Sequence, residues 1–270
     1  MPTESTLSVG AAALLGAVQG LTEFLPVSSS GHLVLVEHWL DTQTSDLTFE
    51  ILVHMATLCV VLLHYRHDVL GLLHFWAEPM WKSGRALDPR WGLSVSLALG
   101  TAATGVVGFL LLDFAKGLFG KPQIVGGMLL VTAALLASTL ITRRGREGAV
   151  AIAPTLAILI GVVQGLATIP GISRSGSTIA VALLVGIARP EAARFSFLLS
   201  IPAILAALLV TLLDVDEITL GAGAMVTGFV CAAVVGHFAL VALVQFVNRG
   251  RLAWFAPYCA ALGIAVMLWA

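Results

Sequence analysis

Five stretches of this chain, Gly92 to Leu112, Pro122 to Thr142, Phe195 to Leu213, Ile218 to Asn248 and Leu252 to Ala270, contain no Asp, Glu, Lys or Arg. A helix of roughly 20 apolar residues crosses the hydrocarbon of a bilayer, so this pattern predicts an all-α polytopic integral membrane protein. The composition agrees: of 270 residues 59% are hydrophobic and 11% charged, with a mean hydropathy of +1.00. A sixth apolar stretch, Ile51 to Tyr65, is shorter and contains His54 and His64. The N-terminal apolar stretch has no basic start and runs directly into a polar loop, so it reads as mature structure and not as a signal peptide. Cys59, Cys231 and Cys259 all lie in apolar stretches without metal-ligand spacing, which predicts packing residues. A net charge of -1 without a basic run excludes nucleic acid as a partner.

The polar loop occurs twice. Residues 16 to 31 read GAVQGLTEFLPVSSSG and residues 161 to 176 read GVVQGLATIPGISRSG; at a shift of 161 − 16 = 145 positions, eight of sixteen residues coincide without a gap. Each copy is an apolar helix broken at proline or glycine that opens into a serine loop. Interrupted helices at matching positions of two halves mark a binding site. The apolar piece after the first loop, Leu33 to Val36 with Trp39 and Leu40, is too short to cross. The loops therefore read as two re-entrant helix–loop–helix hairpins, over residues 5 to 40 and 150 to 188, each followed by three spans. That makes about six transmembrane helices in one membrane domain, with repeat one at 1–147 and repeat two at 148–270.

Three crossings per half is an odd number, which turns the second half upside down. The basic residues fit that topology. Arg66, Lys82, Arg85, Arg90, Arg143, Arg144, Arg146, Arg189, Arg194, Arg249 and Arg251 fall in loops of one side, against Lys116 and Lys121 on the other, a bias of 11 to 2. The second side also carries Asp214, Asp216 and Glu217. The positive-inside rule makes the first side cytoplasmic and puts both termini outside, giving an inverted-topology repeat. Trp76, Trp81 and Trp91 in the long basic loop read as interfacial anchors.

Broken backbone at membrane depth persists only where it is buried in protein or lines a wet cavity, so the two loops are expected to share one site. The first offers Gln19, Glu23, Ser28, Ser29, Ser30, Gly31 and His32; the second offers Gln164, Thr168, Gly171, Ser173, Arg174, Ser175, Gly176, Ser177 and Thr178. A charged side chain within the bilayer costs roughly 2.5 to 3.5 kcal/mol on insertion scales, which marks Glu23 and Arg174 for function. A buried ion pair that only joins the halves would explain the two charges but not the hydroxyls around them. Helix N-terminal amides, Ser and Thr hydroxyls, and a guanidinium able to grip two oxygens together suit a phosphate. Serine and glycine also cap helices and let membrane helices pack closely, so either loop alone would say little.

These residues resemble the undecaprenyl-diphosphate phosphatase family, also called bacitracin-resistance proteins. That family carries a (Glu/Gln)xxxE motif, matched by Gln19 to Glu23, a FLPVSSxGH segment, matched by Phe24 to His32, and PGxSRSxxT, matched by Pro170 to Thr178. The run Arg194 to Leu199 with Pro202 extends the likeness. The resemblance implies hydrolysis of a polyprenyl diphosphate to the monophosphate carrier of bacterial cell-wall synthesis, in the inner (plasma) membrane, with a lipid tail held between helices. The mechanism it suggests has Arg174 and the loop amides hold the diphosphate and Ser29 attack. Glu23 takes the serine proton, with His32 as a second base or a donor to the leaving group. Gln19, Ser28, Ser30, Gly31, Gly171, Ser173, Ser175, Gly176 and Thr178 are the expected substrate-binding set. The family also implies a divalent cation, Mg2+ or Ca2+. Many members have two carboxylates in the first motif and this chain has Gln at position 19, so the ion is expected on the substrate phosphates, with Glu23 the one protein ligand.

The remaining polar residues invite plainer readings. Glu50 and His54, one helical turn apart, line the entrance of the site or form a structural pair. His237 is expected to pack with a hydrogen bond, and His38, His64, His67 and His74 to sit at the interface. Glycines between Gly100 and Gly108 and between Gly221 and Gly228 permit close helix contacts within one chain or in a homodimer. A transporter or lipid flippase is the rival reading, since inverted repeats with broken helices are also transporter architecture.

Overall fold

The computed structural model of the chain describes residues 7–39, 47–78, 84, 88–118, 121–142, 152–213 and 220–269. Lys82, Arg85, Arg143, Arg144, Arg146, Asp214, Asp216 and Glu217, which enter the charge argument, and the expected anchor Trp81 lie outside these residues, as does the side chain of His38. Eleven α-helices are seen among the described residues: α1 (Val9–Phe24), α2 (Ser29–Trp39), α3 (Leu47–His64), α4 (Arg66–Ala77), α5 (Pro89–Lys116), α6 (Pro122–Ser138), α7 (Pro154–Leu166), α8 (Arg174–Leu184), α9 (Arg189–Leu213), α10 (Ala222–Asn248) and α11 (Ala256–Trp269). No β-strand occurs among them. The protein is an all-α polytopic membrane protein: five spans, α5, α6 with its following 3-10 turn, α9, α10, and α11 with its preceding 3-10 turn, are long and apolar enough to cross a bilayer. A sixth span is formed if α3 and α4 are taken together, which meet at a bend of 79°.

The expected basic loop after residue 65 thus begins as a helix. Its sequence explains the difference: in Arg66–Ala77 the apolar residues Val69, Leu72 and Phe75 recur every third position, which is a helical stripe. Phe75 is buried and Val69 and Leu72 pack on the main core. Trp76 and Trp91 sit 6.0 Å apart at this corner, and the Trp76 indole donates to Ser94 Oγ at 3.2 Å.

Both broken helices are present. α1 starts on Ser8, whose hydroxyl accepts from Ala11 N, and stops at Leu25, which is extended because Pro26 follows it. α7 stops at Leu166 ahead of Pro170 and Gly171. α8 then starts on Ser173, whose Oγ accepts from the Gly176 amide at 3.1 Å.

The halves exchange partners. α1 packs along α10, α7 packs along α5, and α6 lies against α11. The close approach needs glycine: a Cβ on Gly16 would stand 2.3 Å from the Gly228 carbonyl oxygen, and one on Gly161 2.2 Å from that of Gly100. Gly16 and Gly161 are the same position of the repeated loop. Gly100 and Gly228 therefore meet other helices of the same chain and Gly108 meets Thr168 in the turn after α7, whereas a Cβ on Gly105 or Gly221 would meet open space. All three cysteines are free.

Candidate active site

The two breaks touch. Gly31 faces Gly171, where a Cβ on the first would lie 3.8 Å from the second's Cα, and a Cβ on Gly176 would lie 3.0 Å from Pro26 Cβ. These are one contact made twice, because Gly31 matches Gly176 and Pro26 matches Gly171 across the 145-residue shift. The Gly171 amide donates to Ser28 Oγ at 3.2 Å. Two backbone positions hold the breaks open: Ser28 at φ 70° and Gly171 at φ 96°. A left-handed serine is uncommon and is held by its surroundings, here the Gly171 amide and the His32 ring.

At this junction Glu23, the last residue but one of α1, is buried with three donors on its carboxylate. Gln19 Nε2 donates to Oε2 at 3.1 Å and Ser29 Oγ donates to the same oxygen at 2.7 Å. Arg174 Nη2 donates to Oε1. The expectation that Glu23 and Arg174 share a site is met by direct contact across 151 positions of sequence. Arg174 Nη1 is buried with no acceptor, so the guanidinium has a donor left for a phosphate oxygen. Gln19 Oε1 and its counterpart Gln164 Oε1 are likewise buried without a partner.

The other expected residues divide into two groups. His32 lies away from the carboxylate: its Nδ1 is 2.8 Å from the Ser28 carbonyl and its Nε2 is 2.7 Å from the Tyr258 hydroxyl. A carbonyl only accepts, so Nδ1 carries a hydrogen and Nε2 pairs with Tyr258, on which the ring also stacks. On the second loop the hydroxyls face inward. Ser173 caps α8, Ser175 lies 3.4 Å from it, and Thr178 bonds the Arg174 carbonyl and the Ser196 hydroxyl. Ser177 donates to the same carbonyl. All four are buried. Ser28 and Ser30, 3.4 Å apart, repeat the Ser173–Ser175 pair in the first loop. Thr168, the counterpart of Glu23, donates only to Gly165 O of its own turn.

Four further residues border this site. Thr132 of α6 donates to the Gly171 carbonyl at 2.9 Å and accepts from the Ser173 amide at 3.0 Å, bridging the second break. Tyr258 is one of only two tyrosines in the chain and lies within a span, a signal that the sequence offers. Cys259 Sγ beside it is 3.5 Å from the Pro26 carbonyl, so α11 braces the first break as α6 braces the second. His54 of α3 places Nε2 3.9 Å from Glu23 Oε2. His237, expected to pack with a hydrogen bond, is instead exposed on α10 with Phe238 edge-on to it. His64, His67 and His74 are exposed at the ends of α3 and α4. No group of three or more His, Cys, Asp or Glu able to hold a metal occurs among the described residues.

Known proteins share this sequence along nearly its whole length. The family model described as bacitracin resistance protein BacA matches residues 12–265. The undecaprenyl-diphosphatase of Desulfosudis oleivorans is 43% identical over 270 residues, 95% of this chain and 96% of that protein. Proteins of the same name from Desulfatibacillum aliphaticivorans and Korarchaeum cryptofilum are 40% and 39% identical, the first over 94% of this chain and 96% of its own length, the second over 97% and 99%.

Proposed function

The chain belongs to the bacitracin resistance protein family, and on that premise we propose that it hydrolyses undecaprenyl diphosphate to the monophosphate and inorganic phosphate, recycling the lipid carrier of cell-wall synthesis. The observation that carries the mechanism is the placement of Ser29 Oγ 2.7 Å from a Glu23 carboxylate whose other oxygen is held by Arg174. A serine becomes a nucleophile when an adjacent base takes its proton, and Glu23 Oε2 is within reach to do so. Arg174 fixes that carboxylate and offers Nη1 to the terminal phosphate, where it offsets charge on the transferring group.

Ser29 Oγ attacks the terminal phosphorus, the bond to the bridging oxygen breaks, and its electron pair leaves with the polyprenyl monophosphate. Water then hydrolyses the phosphoserine, and Ser29 recovers its proton. His32 has both ring nitrogens engaged and serves to hold Ser28, the residue before the nucleophile, in its left-handed conformation. Ser173, Ser175 and Thr178 support the second break from beneath, and the phosphate contacts fall to Arg174, Ser29, Ser30 and the amides at the start of α2.

A divalent cation fits this set only when shared with the substrate. Glu23 and the unpartnered Gln19 Oε1 would hold it against the phosphates, where it supplies further charge neutralisation. The halves, residues 1–147 and 148–270, are related as an inverted repeat in the plasma membrane with both termini outside. The exchange of α1 and α7 onto the other half's spans supports the repeat, and the bias of basic residues supports the orientation.

Phosphate release from undecaprenyl diphosphate by the purified protein in detergent tests the reading. The wild type releases phosphate, and Ser29→Ala lowers kcat by about 10²-fold or more. Near-normal turnover of Ser29→Ala eliminates the covalent step and leaves Glu23 activating water. A wild type that moves the lipid without releasing phosphate is a transporter.

A further inference from the structure

The nucleophile of the proposed reaction follows directly on the strained residue of the first break. Ser28 holds φ 70°, so the direction in which Ser29 Oγ leaves the backbone depends on Ser28 keeping that conformation. Residue 32 grips the Ser28 carbonyl twice: its amide donates at 3.2 Å and its ring Nδ1 lies at 2.8 Å. The amide bond is the ordinary first bond of α2. The ring bond is an addition, and it lasts only while the ring is held in place.

The second break shows what that addition is for. Its matched residue, Ser173, caps α8 at φ -74° and ψ 117°, an ordinary extended conformation, and its carbonyl accepts from the Ser177 amide at 2.9 Å. Ser177 stands where His32 stands in the first break, and its hydroxyl turns to the Arg174 carbonyl at 3.2 Å. The relaxed serine has no ring on its carbonyl, and the strained serine has one. A conformation that costs of order 1 kcal/mol or more persists only where the surroundings enforce it.

What holds the ring is Tyr258 of α11. Its hydroxyl donates to His32 Nε2 at 2.7 Å, and the two rings stack 13° from parallel with centroids 5.8 Å apart. The next residue, Cys259, places Sγ 3.5 Å from the Pro26 carbonyl, so neighbouring residues of α11 hold both sides of the serine loop. α11 is itself seated on α6, where a Cβ on Gly126 would lie 2.8 Å from the Gly263 carbonyl oxygen. Tyr258 is 50% exposed whereas Cys259 is fully buried, so packing accounts for the cysteine and not for the tyrosine hydroxyl.

We propose that Tyr258 is a positioning residue for the nucleophile: its hydroxyl fixes the His32 ring, the ring fixes the Ser28 carbonyl, and Ser29 Oγ is thereby kept on Glu23 and aimed at phosphorus. The proposal rests on the phosphatase reading and adds to it a residue that acts through another. Both bonds of the His32 ring stay as they are throughout the reaction. Without the Tyr258 hydroxyl the ring is free to turn, Ser28 loses one of its two holds, and Ser29 spends less time in the reactive geometry.

The test is a double-mutant cycle on undecaprenyl diphosphate in detergent, with kcat, KM and a melting curve for wild type, Tyr258→Phe, His32→Ala and the double variant. Tyr258→Phe keeps the stacked ring and removes the hydroxyl. We expect its kcat to be about 10-fold lower, its KM within about twofold and its melting temperature within roughly 3 °C of wild type. In the His32→Ala background the same change should lower kcat by less than about twofold, because a residue that acts only through the ring has nothing left to act on. A wild-type kcat in Tyr258→Phe, a loss carried by KM, a loss that follows a collapsed melting temperature, or a loss repeated in full in the double variant each overturns the proposal. If His32→Ala does not fold, His32→Asn, whose amide reaches the place of Nδ1 and not that of Nε2, takes its place in the cycle with the same two outcomes. A wild type that releases no phosphate overturns the phosphatase reading and the proposal with it. Any of the other overturning results, beside a wild type that does release phosphate, removes the role of Tyr258 and leaves that reading standing.

Discussion

The two breaks share half their residues and a nearly identical frame, yet they bring different side chains to the place where they meet. Position for position, Glu23 matches Thr168 and Ser29 matches Arg174. The Ser–Ser pairs at 3.4 Å, the reciprocal contacts Gly31–Gly171 and Gly176–Pro26, and the braces from α11 and α6 are the same in both. A two-fold frame thus brings residues 29 and 174 toward one carboxylate from opposite sides. The site arises because the symmetry is broken at three side chains, one acid, one serine and one arginine.

The comparison is broken most severely at Arg174. Arg174→Ala leaves the Glu23 carboxylate buried without its counter-charge, a cost of about 3 to 5 kcal/mol in comparable pairs. It also removes the guanidinium from the phosphate, worth roughly 10³-fold or more in phosphoryl transfer. Phosphate release and membrane insertion measured together check this: lost release with normal insertion separates a catalytic arginine from one that only joins the halves. Gly171→Ala comes next. Its φ of 96° disfavours a side chain, and the new Cβ would lie 2.5 Å from the Val125 carbonyl oxygen, so we expect a lower melting temperature, by about 2 kcal/mol or more of stability. A variant as stable as wild type would show the second break to be more pliable than the contacts with α6 imply. The smallest effect is expected at Thr168, since its hydroxyl only bonds its own turn. Thr168→Ala should change kcat less than twofold and stability by less than about 1 kcal/mol. A large loss of activity there would mean that the counterpart of Glu23 has kept a role.

Much of this was legible before any coordinates. The charge-free stretches announce the spans, the repeat announces two breaks, and Glu23 with Arg174 stands out because charge is costly in lipid. The structure adds what depends on distant partners. Tyr258 reaches His32 across 226 positions, and Thr132 reaches Gly171 and Ser173 from the middle of an apolar span. Thr132 has no local pattern to betray it, and Tyr258 has only its rarity and its place in a span. His54 with its local partner Glu50 read either as lining the entrance or as a structural pair, and only the fold brings it to Glu23. The serines and threonine of α8 also have protein partners that the motif does not announce. Ser175 and Thr178 look like ligand-binding hydroxyls in a one-dimensional motif, and the structure places them near Ser173 and on Ser196 of α9. α4 was obscured by its charges, which conceal an apolar stripe of one residue in three.

The exchange of seats between the halves also bears on how the protein is made. α1 finds its main neighbour in α10, more than 200 residues later in the chain, and the contact closes on Gly16 against Gly228. During synthesis the first hairpin therefore enters the bilayer before its resting place exists. It must wait there, polar tip and all, until the penultimate span is threaded, so a polypeptide halted after α9 would hold the first hairpin without the helix it packs along.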